Sequence, residues 1–166
     1  IMDETTCMVD IDKFFVNFSQ AESCVKCTPC REGNKRMWEM LERITKGEGE
    51  LEDLDKLEQL ALTIKETSLC GLGQNAPNPV LATLKYFRDE FVEHIEDKKC
   101  RAGACQDLLT YRIDPDKCKR CSICARNCPV NCITGDKNTP YVIDEEACIK
   151  CGACMERCKF DAVLLV

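Results

Sequence analysis

Four stretches in the first part of the chain carry apolar residues at helical spacing. Met8 to Ala21 places Ile11, Phe14, Phe15 and Phe18 on one stripe, a pattern that predicts an amphipathic helix. Residues 29–46 follow, with Met37, Trp38, Leu41 and Ile44 on one side and Gly47 as a stop. Leu51 to Thr67 repeats the pattern through Leu54, Leu57, Leu60, Leu62 and Ile64. The acidic run from Glu48 to Asp55 suits a helix start, where the dipole favours negative charge. Asn78 is placed to cap a fourth helix with Pro79 at its first position, and that helix carries Val80, Leu81, Leu84, Phe87, Phe91, Val92 and Ile95. Four amphipathic helices with short joins predict a small four-helix bundle over residues 1–98, with these stripes as its core. Trp38 and Tyr86 take no further role.

The periodicity then changes. Residues 99–112 read as a connector, and residues 113–166 as short strands and cysteine-bearing loops. Residues 110–113 and 162–166 are expected to pair as outer strands, and residues 140–143 to return against 132–134 as a hairpin. The predicted fold class is α+β, a helical domain followed by a pseudo-symmetric second domain.

Cysteine carries the chemistry. The chain has 16 in 166 residues. One run reads Cys118-Lys-Arg-Cys121-Ser-Ile-Cys124-Ala-Arg-Asn-Cys128-Pro129, and a second reads Cys148-Ile-Lys-Cys151-Gly-Ala-Cys154-Met-Glu-Arg-Cys158. This spacing, given twice, is that of a two-cluster [4Fe–4S] ferredoxin, in which the fourth Cys of each run serves the other cluster. Cys118, Cys121, Cys124 and Cys158 are therefore expected to hold one cluster, and Cys148, Cys151, Cys154 and Cys128 the other. Lys159 stands where a proline often follows the fourth Cys.

The helical part carries a third set. Glu22-Ser-Cys24-Val-Lys-Cys27-Thr-Pro-Cys30-Arg-Glu-Gly33 puts three thiolates on a loop entering a helix, whose N–H groups and dipole suit cluster sulfurs. Cys70, in Ser68-Leu-Cys70-Gly71-Leu72-Gly73, offers a fourth ligand on a loop whose glycines admit a bulky cube. Zinc on the same four thiolates is the competing reading. Gly71-x-Gly73 is no dinucleotide fingerprint, because it lacks the third glycine and a preceding strand.

At these residues the chain resembles the cluster-binding domain of the flavin subunit of NADH dehydrogenase, found also in NAD-linked hydrogenases and formate dehydrogenases. Val25 stands where many relatives have Gly. The ferredoxin extension makes the chain similar to the beta subunit of multimeric, often electron-bifurcating, [FeFe]-hydrogenases. The resemblance implies three [4Fe–4S] clusters relaying electrons within an NAD(H)-linked oxidoreductase, with FMN and NAD(H) held by an upstream segment. It also implies two partner subunits, one catalytic and one small, thioredoxin-like and carrying [2Fe–2S]. A ferredoxin is a further candidate partner. The same subunit in an NAD(P)-linked formate dehydrogenase is the alternative, and a zinc-only interaction module is a third.

Four cysteines remain: Cys7, Cys100, Cys105 and Cys132. His94, the one histidine, lies six residues before Cys100. His94, Cys100, Cys105 and Cys132 together make a Cys3His set suited to structural zinc, tying helix end, connector and second domain. Cys7 reads as a packed core thiol. Lys26, Arg31, Lys119, Arg120 and Lys150 lie beside ligands, where they stabilise reduced clusters or form solvated surface. Clustered cysteines and a chain with 31% charged residues argue against a secreted disulfide scaffold. Thiolates kept for iron imply a cytoplasmic protein, net charge −6 argues against nucleic acid, and no apolar run is long enough for a membrane span. The opening Ile1 suggests a piece of a longer polypeptide. No residues assemble a catalytic triad.

Overall fold

The computed structural model describes residue 3 and residues 5–165. The chain divides into two compact units, residues 1–108 and 109–166.

The first unit is helical. Its elements are α1 (Met8–Ala21), α2 (Asn34–Thr45), α3 (Leu51–Thr67), the short α4 (Gly71–Asn75), α5 (Asn78–Tyr86) and α6 (Arg88–Val92). Helix α1 packs on α2 and α5, and α3 on α2 and α5. Met37, Leu41, Ile44, Leu57 and Ile64 are fully buried among these helices, each removal of such a side chain from water contributing about 1.5–3 kcal/mol. Helix α3 starts on a reciprocal cap: the Glu50 N–H donates to Asp53 Oδ2 at 3.0 Å, while the Glu50 side chain accepts from the backbone of Asp53. Arg43 Nη2 sits 2.9 Å from the same buried carboxylate. Phe87, at φ −133° and ψ 30°, interrupts what the apolar periodicity joins into one helix, so α5 and α6 are separate.

Helix α1 presents a different face from the one expected. Its buried residues are Met8, Val9, Asp12 and Val16, whereas Phe14 and Phe18 remain 60% and 55% exposed. The three phenylalanines dominate the apolar stripe by size, but the Val9–Asp12–Val16 face meets the other helices. That leaves an aromatic flank beside the Cys70 loop: Phe15 and Phe18 line an open depression with Leu72, Ala76 and Pro79.

Two helical turns are wound one residue wider than α, a form enriched at functional sites. They are Pro29–Gly33, which carries Cys30 into α2, and Glu93–Asp97, which carries His94 out of α6. Lys98 ends the second in a left-handed conformation, φ 52°. Residues 99–108 do not form a free connector, since Cys100, Cys105 and Leu108 are buried in the core of the first unit.

The second unit is built around two small antiparallel ladders. Strand β1 (Tyr111–Ile113) pairs with β4 (Val163–Leu165), and β2 (Ile133–Thr134) with β3 (Val142–Ile143). Val166, included in the expected outer strand, lies outside the described residues. One-turn helices α7 (Ile123–Arg126) and α8 (Ala153–Glu156) follow the two cysteine loops. The chain is thus a mixed helical and small-sheet protein with a ferredoxin-type second unit. Among the described residues, no helix is long and apolar enough to cross a membrane.

Asp12 is fully buried in the first unit; Thr83 Oγ1 donates to its Oδ2, while Oδ1 has no partner. Burial pushes its carboxyl up to about 7, against the lowering effect of Thr83. Between the ordinary value of 3.8 and about 7, the folded chain holds a proton that the unfolded chain has released. Stability therefore falls as pH rises through that window, by up to about 4 kcal/mol. Asp12→Asn is expected to remove this slope, leaving the variant about 2–4 kcal/mol more stable than the parent near pH 8 and closely matched near pH 4. Anaerobic urea unfolding at both pH values checks it; a parent as stable as the variant near pH 8 would contradict a buried neutral carboxyl.

Candidate metal centres

Four side chains in the first unit close on a single point. Cys7, His94, Cys100 and Cys105 are all buried, with their ligand atoms within 4.8 Å of one another. His94 Nε2 lies 3.3 Å from Cys7 Sγ and 3.4 Å from Cys105 Sγ, and the two sulfurs are 3.8 Å apart. Tetrahedral zinc, with bonds of about 2.3 Å to sulfur and about 2.0–2.1 Å to nitrogen, separates sulfurs by about 3.8 Å and sulfur from nitrogen by about 3.6 Å. The set fits one ion.

Its surroundings prepare the imidazole. His94 Nδ1 donates to the Glu90 carbonyl at 2.7 Å, which leaves the Nε2 lone pair facing the thiols. Glu90 also accepts from the Met8 N–H at 3.1 Å, fixing the start of α1 next to Cys7. Cys7 Sγ in turn accepts from the Asp10 N–H, capping α1. Burial opposes charge on His94, but hydrogen bonds with Cys100 and Cys7 raise it to about 10. Hydrogen bonding to Cys105 and Cys7 lowers Cys100, whereas bonding to Cys100 and Cys7 raises Cys105.

This grouping corrects the expected fourth member. Cys7 stands where Cys132 was expected. Cys132 belongs to the core of the second unit, 3.4 Å from Cys128 Sγ. The set lies wholly within residues 1–108, so a cation there pins the start of α1 to the end of the helical unit and takes none of these ligands from residues 109–166. Cys7 is 87 residues from His94 in sequence; its signal was a cysteine at the cap position of α1.

The Cys24 loop is more open. Cys30 is buried and approached by the Ser23 hydroxyl at 3.3 Å and by Asn34 Nδ2 at 3.5 Å; Asn34 is itself fully buried. Backbone N–H groups of Leu69 and Cys30 hold the Cys27 thiol below its ordinary value, which places the segment leading to Cys70 against Cys27. A Cβ on Gly73 would lie 2.7 Å from Ser68 Oγ and 3.1 Å from the Cys30 Cβ, so only glycine lets α4 approach this closely. Val25 adopts φ 53°, and Arg31 Nη1 donates to its carbonyl at 3.1 Å. A β-branched residue in this region is strained, whereas glycine adopts it freely.

The second unit repeats one arrangement at an offset of thirty residues. Left-handed conformations recur at Arg120 and Lys150, Ser122 and Gly152, and Asn131 and Asp161. Cys118, Cys121, Cys124 and Cys158 line one cavity. Cys128, Cys148, Cys151 and Cys154 line another, together with Cys132. Tyr141 walls the first and Tyr111 the second. The thiols in each cavity oppose one another's ionisation: burial and then Cys118 and Cys121 raise Cys124, and burial and Cys148 and Cys151 raise Cys154. Backbone N–H groups of Ala125 and Met155 offset this in part at Cys124 and Cys154, and the N–H groups of Lys150 and Ala162 donate to Cys148 Sγ and Cys158 Sγ, each at 3.4 Å. Apolar, thiol-lined and served by N–H donors, these cavities suit iron–sulfur cubes, which spread their ligands wider than one ion does.

Two family profiles match the chain in tandem. Residues 10–94 match the NADH-ubiquinone oxidoreductase-F iron-sulfur binding region, and residues 117–162 a 4Fe-4S dicluster domain. NADP-reducing hydrogenase subunit HndC of Solidesulfovibrio fructosivorans is 57% identical over 164 residues, covering 99% of this chain and 34% of that protein. An NADH-quinone oxidoreductase subunit of Streptomyces coelicolor is 46% identical over 98 residues, 59% of this chain and 22% of that protein. The chain thus spans about a third or less of the length of these relatives. An NAD+-reducing [NiFe]-hydrogenase in its H2-reduced state superposes with a TM-score of 0.55 at 32% identity, over 57% of this chain and 17% of that chain. The relatives are subunits of oxidoreductase complexes. With residues 10–94 carrying the oxidoreductase-F signature and a dicluster domain behind them, the chain belongs to the NADH-ubiquinone oxidoreductase-F iron–sulfur binding family.

Proposed function

We propose that this chain is the electron-relay portion of an NAD(P)(H)-linked flavoprotein subunit in a multimeric hydrogenase, holding three [4Fe–4S] clusters and one structural zinc. The observation that carries this reading is the tandem of three thiol sets on a chain 57% identical, over nearly its whole length, to an NADP-reducing hydrogenase subunit. Cys24, Cys27, Cys30 and Cys70 would hold the first cluster; Cys118, Cys121, Cys124 and Cys158 the second; Cys148, Cys151, Cys154 and Cys128 the third. Each bound cluster supplies a one-electron carrier. The protein's own residues supply thiolates, N–H donors to sulfur and an apolar wall that keeps water from the cubes. The packing of α1 on α2 and of α3 on α5 supports a four-helix frame for the first set.

FMN and the nicotinamide would bind in sequence upstream of this chain, as the greater length of the relatives suggests. The aromatic flank of α1 beside the Cys70 loop is a fitting seat for that flavin-bearing segment. A catalytic hydrogenase subunit and a small [2Fe–2S] subunit would complete the assembly in the cytoplasm, and a ferredoxin would exchange electrons with it. A formate dehydrogenase as the catalytic partner is the second reading, on the same residues.

Three outcomes are expected. Cys70→Ser in the whole enzyme should leave flavin reduction by NADH intact and slow reduction of the second-unit clusters, followed by stopped-flow absorbance; an unchanged rate would remove the first cluster from the path. Cys158→Ser should disturb the EPR signal of the cluster on the Cys118 loop and spare the one on the Cys148 loop, and the opposite pattern would overturn crossed ligation. Elemental analysis should find about one zinc per chain. Cys105→Ser and Cys7→Ser should each lose it with all three cluster signals retained, whereas Cys132→Ser should keep it. A full iron load with no zinc would refute the site.

A further inference from the structure

The two cavities of the second unit correspond over most of their lining at the thirty-residue offset, with two marked chemical differences, one of them Lys119 in place of Ile149. Cys128 corresponds to Cys158, Ile133 to Val163 and Tyr111 to Tyr141, and all of these residues line their cavities. The other difference is that one cavity has Cys132 and the other Ala162. The Cys148-loop cavity therefore holds five thiols, and the Cys118-loop cavity four. Cys132 is buried and unused by the zinc set, its Sγ lies 3.4 Å from Cys128 Sγ, and its thiol also contacts that of Cys148.

We infer that Cys132 is a reserve ligand for the cluster on the Cys148 loop, able to replace Cys128 at the same iron. The inference rests on the crossed-ligation reading above. The replacement is a ligand exchange with no net redox change: the iron–sulfur bond to Cys128 breaks, one to Cys132 forms, and the Cys132 thiol proton passes to the departing Cys128 thiolate. A sulfur 3.4 Å from the one it replaces reaches the same corner by a side-chain rotation and a small backbone adjustment. The Cys118-loop cavity lacks this provision, because Ala162 has no sulfur to offer.

The test uses the whole enzyme prepared anaerobically, with iron, sulfide and EPR read alongside circular dichroism. Cys128→Ala is expected to keep its full iron and sulfide, with a shifted EPR signal for the Cys148-loop cluster. Adding Cys132→Ala should then remove one cluster's worth of iron while the other clusters keep their signals. Cys158→Ala should lose the Cys118-loop cluster outright, and Ala162→Cys in the same chain should restore it. If Cys128→Ala alone loses as much iron as the double variant, the reserve role is overturned and crossed ligation stands. If Cys132→Ala alone loses the cluster, Cys132 is the resident ligand, and both the reserve role and the assignment of Cys128 fail.

Discussion

Thiolates gathered around one small volume repel one another once ionised, and the rest of this chain is organised around that repulsion. A cation or an iron–sulfur cube offsets it, and metal binding then becomes part of folding. In the meantime backbone N–H groups point at sulfur, as at Cys27, Cys148 and Cys158. The same constraint explains why the thiol sets occupy loops and helix starts. Donors are unspent there, and left-handed residues such as Arg120, Ser122 and Lys150 turn the chain around a central group.

The two units meet this constraint at different scales. Cys7, His94, Cys100 and Cys105 close to single-ion distances. The paired cavities of the second unit are wider and apolar, and each combines cysteines from both sequence runs. Glu90 illustrates how local helix geometry serves the smaller site. Its carbonyl orients His94 and its carboxylate fixes the start of α1, so packing at the end of the helical unit and ligand geometry are one arrangement.

Much of this is readable from residues alone. Helical periodicity locates α2 and α3 and most of their buried faces, because Met37, Leu41, Leu57 and Ile64 are both apolar and inward, although Leu62, expected in the same stripe, is exposed. The strand pairings of the second unit follow from the short runs between cysteine loops. Periodicity misplaces the buried face of α1 because three phenylalanines outweigh two valines in any apolar tally, while a buried aspartate at position 12 disguises the inner stripe. Cys132 falls in with His94 because neither belongs to a cluster run, and sequence holds no measure of which of the remaining thiols meet. Cys7 looks like packing because its partners come from the far end of the helical unit. The thirty-residue correspondence of Cys132 with Ala162 is present in the sequence, yet it gains meaning only with both residues lining cavities.

The proposed relay would hold all of its iron in three cubes. A Mössbauer spectrum of the isotopically enriched, anaerobically isolated protein tests it most directly. All iron is expected to contribute quadrupole doublets of [4Fe–4S] type, shared among three clusters, with zinc in the remaining site. A substantial component from single tetrahedral iron or from [2Fe–2S] centres, or a colourless protein whose thiols hold zinc throughout, would contradict it.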